Sequence, residues 1–171
     1  MGGMRNSGIR MGKARTGKQR IGTIPLVCLL LAGVSAAADS GPRLVLRDME
    51  TRSNLLEVPV QYGRPFSLRY IHSVDISPVH EFFRAEKGRG IVLDGTCFRM
   101  FGAGMGHWEG RGVLKRDGPW TCIAEMDETV GRFVLRIGAR GVDHTLRVDF
   151  REFDLTGMAA GRRVAVFLEE W

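Results

Sequence analysis

Two short stretches hold most of the residues able to do chemistry. The first runs Tyr70-Ile71-His72-Ser73-Val74-Asp75-Ile76-Ser77-Pro78-Val79-His80-Glu81. Asp, Ser and Pro favour turns, so Asp75 to Pro78 reads as a four-residue hairpin loop. That register sets Val74 opposite Val79, Ser73 opposite His80, His72 opposite Glu81 and Tyr70 opposite Phe83. Strand alternation puts His72 with Phe66, Leu68, Tyr70 and Val74 on an apolar, core-facing side. A His and a Glu facing each other there would share a charge-assisted hydrogen bond. They would act either as a buried pair that pins the register or as a carboxylate-oriented imidazole at a pocket rim. On the other side, Ser73, His80 and Asp75 supply the residue types of a hydrolase. A nucleophilic Ser also needs an oxyanion hole and a strained turn, and the chain has no G-x-S-x-G elbow.

The second stretch is Phe101-Gly102-Ala103-Gly104-Met105-Gly106-His107-Trp108-Glu109-Gly110-Arg111-Gly112. Five of the eleven residues from Gly102 onward are glycine, which suits a backbone that visits positive φ or approaches another group closely. His107, Trp108, Glu109 and Arg111 form a stacking and hydrogen-bonding set for a small ligand, Arg111 meeting an anion and Trp108 covering it. The plainer alternative is a surface loop whose Trp108 packs on a sheet. Gly102-x-Gly104-x-Gly106 lacks dinucleotide-fingerprint spacing and no helix follows, so no nucleotide cofactor is expected.

Strand-like segments must position these residues. Runs with a period of two recur at Leu44 to Arg47, Leu55 to Val60, Phe66 to Val74, Val79 to Ala85, Ile91 to Phe101, Trp120 to Glu125, Phe133 to Ile137, His144 to Phe150 and Arg163 to Glu170. Ser53-Asn54, Tyr62-Gly63, Lys87-Gly88, Asp117-Gly118 and Arg140-Gly141 punctuate them. The best helical candidate is a turn or two around Met158 to Ala160. Pro59 inside a strand-like run points to an edge. The pattern predicts an all-β fold, an antiparallel sandwich or barrel of about nine short strands.

Charge is divided unevenly along the chain. The first 38 residues hold six of the 25 basic residues and no acid, which leaves 19 basic against 19 acidic residues in the remainder. The basic excess therefore belongs to a leader, and the folded part lacks the footprint of a nucleic-acid binder. An apolar run from Ile21 to Val34 follows Arg20, and Ser35-Ala36-Ala37-Ala38 follows the run. That order is a secretory signal, too short to span a bilayer as a helix and interrupted by Pro25. Cleavage is expected before Asp39, with Val34-Ser35-Ala36 as a second site, leaving one exported or periplasmic domain over 39–171. Retention as an anchor is the alternative. Cys28 lacks a lipid-attachment box, and no paired arginines precede the run.

In an oxidising compartment Cys97 and Cys122 become a disulfide candidate closing a loop of about 25 residues. Each could instead be a small buried hydrophobe. Neither has a Cys or His at ligand spacing, so no metal site is expected.

Tyr70-Ile71-His72-Ser73-Val74, then Ser77-Pro78-Val79 and Glu81, and Phe101-Gly102-Ala103-Gly104-Met105 resemble the hallmarks of a bacterial domain-of-unknown-function family of small exported proteins. Its genes lie beside TRAP transporters of the TAXI type. The likeness extends from about Leu44 to Phe167, and Gly106 stands where such sequences often have Pro. The resemblance implies a periplasmic accessory protein and carries no catalytic residue over. It points to a transporter component or its solute-binding protein as partner, and to a small anionic ligand. The candidate binding set is His72, Ser73, His80, Glu81, Gly102, Gly104, His107, Trp108 and Arg111. The expected role is an exported accessory or binding module. Its rivals are a small periplasmic hydrolase using the Ser73 to Glu81 hairpin and a purely structural partner of a membrane complex.

Overall fold

The computed structural model describes residues 41–100 and 110–170, which fall within one compact unit spanning 36–171. The segment expected to be a signal, the expected cleavage site, Gly102, Gly104, His107 and Trp108 lie outside the described residues. Twelve strands and one short helix follow in order: β1 (Arg43–Asp48), β2 (Asn54–Pro59), β3 (Pro65–His72), β4 (Ser77–Glu86), β5 (Gly90–Phe98), β6 (Val113–Asp117), β7 (Trp120–Ala124), β8 (Glu128–Gly131), β9 (Phe133–Arg136), β10 (Thr145–Val148), β11 (Arg151–Asp154), α1 (Leu155–Ala159) and β12 (Arg163–Glu169).

The strands form two antiparallel sheets, one ordered β2-β1-β12-β9 and the other β11-β10-β3-β4-β5-β7-β6, with β8 joined to β5. Leu44, Leu46, Val164 and Val166 from the first meet Phe66, Leu68, Phe83, Ile91 and Leu146 from the second in one core. Among the described residues both sheets keep unpaired edge strands, so the fold is sandwich-like and not a closed barrel. Pro59 lies on β2, at the edge of the four-stranded sheet, where its missing N–H costs no ladder bond. Asp154 accepts the Gly157 N–H at 2.8 Å, capping α1.

Three strands go beyond the expected nine, and each lacks the alternation that marks a half-buried strand. All five residues of β6 are exposed, β8 is a four-residue partner of the first half of β5, and β11 is Arg-Glu-Phe-Asp at a sheet edge.

The β3–β4 register also differs from expectation. His72 pairs with Ser77, Tyr70 with Val79, Arg69 with His80, Leu68 with Glu81 and Phe66 with Phe83. The turn is therefore Ser73 to Ile76, two residues earlier than Asp75 to Pro78. His72 does not face Glu81, Tyr70 does not face Phe83, Val74 does not face Val79, and Ser73 does not face His80. Pro78 sits inside β4, where the ladder to β5 has not begun, because that pairing starts at Val79. A residue without an N–H loses nothing there. Since the slip is an even number of residues, every side chain keeps its predicted face.

Candidate functional site: an outer cationic groove and an inner polar cluster

The outer face of the eight-stranded sheet carries a row set by register: Arg69, His80, Cys97, Cys122 and Lys115 lie opposite one another across β3, β4, β5, β7 and β6. Cys97 and Cys122 are joined by a disulfide, their Cα atoms 4.1 Å apart. Two residues from Cys122, Trp120 meets the His80 ring edge-on at 4.9 Å, and the Arg99 guanidinium stacks 4.8 Å from the Trp120 centroid. An open groove of about 390 Å³ results, lined by Arg69, Ile71, Pro78, His80, Trp120 and Asp143.

Burial lowers the His80 pKa, and the positive charges of Arg69 and Arg99 lower it further. The imidazole is therefore neutral at pH 7 and able to donate or accept. Asp143, the groove's acid, has Arg140 at 3.5 Å. Arg69 and Arg99 form no ion pair among the described residues. The groove can thus offer the Arg69 guanidinium, a neutral imidazole and an indole face to a small anion, with the Arg99 guanidinium stacked on that indole.

The inner face holds a separate polar cluster. The Tyr70 hydroxyl donates to the Glu81 carboxylate, and burial raises the pKa of both groups. Tyr70 also stacks on His144 with ring centroids 5.1 Å apart. His144 Nδ1 accepts the Gly138 N–H at 3.1 Å, and Thr156 Oγ1 accepts the His144 N–H at 3.0 Å. Burial lowers the His144 pKa, so this ring is a neutral packing element.

His72 Nδ1 lies 3.5 Å from Asp75 Oδ2. Among the described residues neither atom, nor Thr96 Oγ1, has a hydrogen-bond partner. Ser77, 7% exposed, pairs with His72 in the ladder, which gathers Ser, His and Asp at one end of the sheet. No hydrogen bond links the Ser77 hydroxyl to His72 among the described residues, so the nucleophile–base contact of a hydrolase is not formed.

The sequence candidates therefore separate. His80 lies in the outer groove, Glu81 in the inner cluster and His72 at the turn with Asp75, while Ser73 is exposed in the turn. Arg111 donates to Glu128 at 2.8 and 3.1 Å, which meets its charge outside the groove lining. Arg69, Arg99 and Trp120 were not singled out by sequence. Arg69 is on β3, Trp120 is on β7 and Arg99 stands one residue past the end of β5, and the ladder registers bring these segments together.

Residues 66–155 match a family described as Domain of unknown function (DUF1850), and that span exceeds half of the 171-residue chain. The chain belongs to the DUF1850 family. No curated protein and no solved structure matches it. The DUF1850 span opens in β3 and closes at the start of α1, so it contains every groove residue and the inner cluster except Thr156. It leaves β1, β2 and β12 of the four-stranded sheet outside.

The inner cluster makes a pH prediction for this DUF1850 domain. Burial raises Glu81 above the usual 4.5, so the folded state holds a proton that the unfolded chain releases. Stability therefore falls as pH climbs from about 4.5 through the raised folded value. Glu81→Gln keeps an acceptor for Tyr70 without the buried charge. It is expected to be more stable than the parent at pH 7, with the difference vanishing below about pH 4.5. Urea midpoints across pH 4 to 8 check this, and a parent midpoint equal to the variant's throughout refutes it.

Proposed function

We propose that the chain is an exported accessory protein that binds a small organic carboxylate in the outer groove, in the service of a TRAP-type solute uptake system. The observation that carries this reading is the groove itself, where Arg69 lies beside His80 and Trp120 and the Arg99 guanidinium stacks on the same indole. The Arg69 guanidinium answers a carboxylate by charge-assisted hydrogen bonds, and the indole supplies an apolar wall for a short carbon skeleton. The leader pattern before Asp39 supports export, and a disulfide suits an oxidising compartment. The link to uptake rests on the family resemblance of the Tyr70 to Glu81 and Phe101 to Met105 motifs.

Calorimetric titration with a panel of short mono- and dicarboxylates tests the groove. Binding is expected for at least one, and Arg69→Ala combined with Arg99→Ala should weaken it at least tenfold, since each charge-assisted bond is worth about 1.5–3 kcal/mol. A panel that gives no heat, or a double variant that binds as the parent does, removes the proposal.

A further inference from the structure

The β3–β4 hairpin ends in an apolar tip. Val74 and Ile76 are 70% and 73% exposed, and Met100 is 51% exposed. Met100 follows two residues after Phe98, the last residue of β5, which pairs with Val79 on the outgoing limb of the hairpin. Single exposed aliphatic residues are ordinary, but Val74 and Ile76 share one four-residue turn, and Met100 follows the strand paired to that hairpin.

The backbone is held in an unfavourable state to make this tip. Ile76 has φ +47°, a left-handed conformation that a β-branched side chain rarely takes and that Gly or Asn would adopt without strain. Charge at the tip is also arranged in one sense. Asp75, the acid of the turn, is folded back toward His72 at 3.5 Å with its side chain only 13% exposed. Behind the tip stand Arg99, next to Phe98, and Arg69, opposite His80, neither of them in an ion pair among the described residues.

We propose that this tip is a membrane-docking element: Val74, Ile76 and Met100 enter the interfacial layer of an anionic lipid surface while Arg99 and Arg69 meet headgroup phosphates. An apolar end bounded by a cationic collar fits a layer whose hydrocarbon lies just beneath negative charge. A protein socket is the weaker fit, because interface anchors are typically aromatic or Arg and sit among hydrogen-bonding groups, whereas this tip presents aliphatic side chains.

The test uses the full chain with Cys28→Ser, so that a single introduced cysteine carries an environment-sensitive fluorophore. Label positions are Val74→Cys and Ile76→Cys, with Lys87→Cys as control at the far end of β4. Vesicles are phosphatidylcholine with a quarter phosphatidylglycerol, against phosphatidylcholine alone. Labels at 74 and 76 are expected to shift to the blue and be quenched by brominated acyl chains in the anionic vesicles only. The label at 87 stays unchanged, and Arg99→Glu lowers apparent partitioning about tenfold or more. Three results overturn the proposal. One is no shift at 74 and 76, and another is an equal shift at 87, which assigns contact to the apolar run 21–34. The third is a shift that is the same in both vesicle types and insensitive to Arg99→Glu. Carboxylate binding is measured without lipid, so failure of the groove reading and failure of the tip reading are separate results.

Discussion

Phe83→Ala is expected to destabilise the domain by about 3–5 kcal/mol, the usual cost of emptying a packed aromatic site. Phe83 is 4% exposed and stacks on Phe66 at 5.5 Å within its own sheet and on Phe133 at 5.7 Å from the opposite sheet. It is therefore one of the rings that hold the two layers together. Its neighbour supplies the control. Phe82 lies on the outer face, 37% exposed, and Phe82→Ala should cost about 1 kcal/mol or less. Guanidinium unfolding of both variants at unchanged m-value makes the comparison. If the two cost the same, the assignment of faces along β4 is wrong, and with it the placement of His80 outside and Glu81 inside.

That assignment of faces was readable in the sequence, because the period of two survives any even slip of register. The register itself was not. Pro78 reads locally as a turn residue, and only the third strand shows why it is tolerated inside β4, since the ladder to β5 starts one residue later. Ile76 with its positive φ is likewise illegible, because a β-branched residue signals a strand and the turn takes it against that preference. The strands with an apolar face were legible as a sandwich or barrel, whereas β6, exposed at every position, had no pattern to find. The groove was hidden for a further reason. Arg69, Arg99 and Trp120 are unremarkable in their own segments, and they become a cationic aromatic surface only through the pairings Arg69 with His80, His80 with Cys97 and Cys97 with Cys122.

The last of those pairings carries the second large effect. Reducing the Cys97–Cys122 bridge, or replacing both residues by Ser, is expected to lower stability by about 3 kcal/mol, the chain-entropy value for a loop of some 25 residues. The loss should be concentrated in the β6–β7 hairpin, because among the described residues β7 is tied to β5 by three paired positions, Thr96 with Ile123, Cys97 with Cys122 and Phe98 with Thr121, and β6 pairs with β7 alone. Hydrogen exchange should show faster opening over 113–124 in the reduced protein while β1 and β12 keep their protection. The groove responds too. Trp120 lies two residues from Cys122, and Arg99 lies two residues from Cys97, so a loosened hairpin no longer holds the indole against His80 and Arg99. Reduction should therefore weaken carboxylate binding by more than Phe82→Ala does, even at temperatures where the domain remains folded. Equal denaturation midpoints for the oxidised and reduced protein would remove the bridge from any account of stability. Unchanged carboxylate affinity after reduction would show that the groove is held by its strands alone.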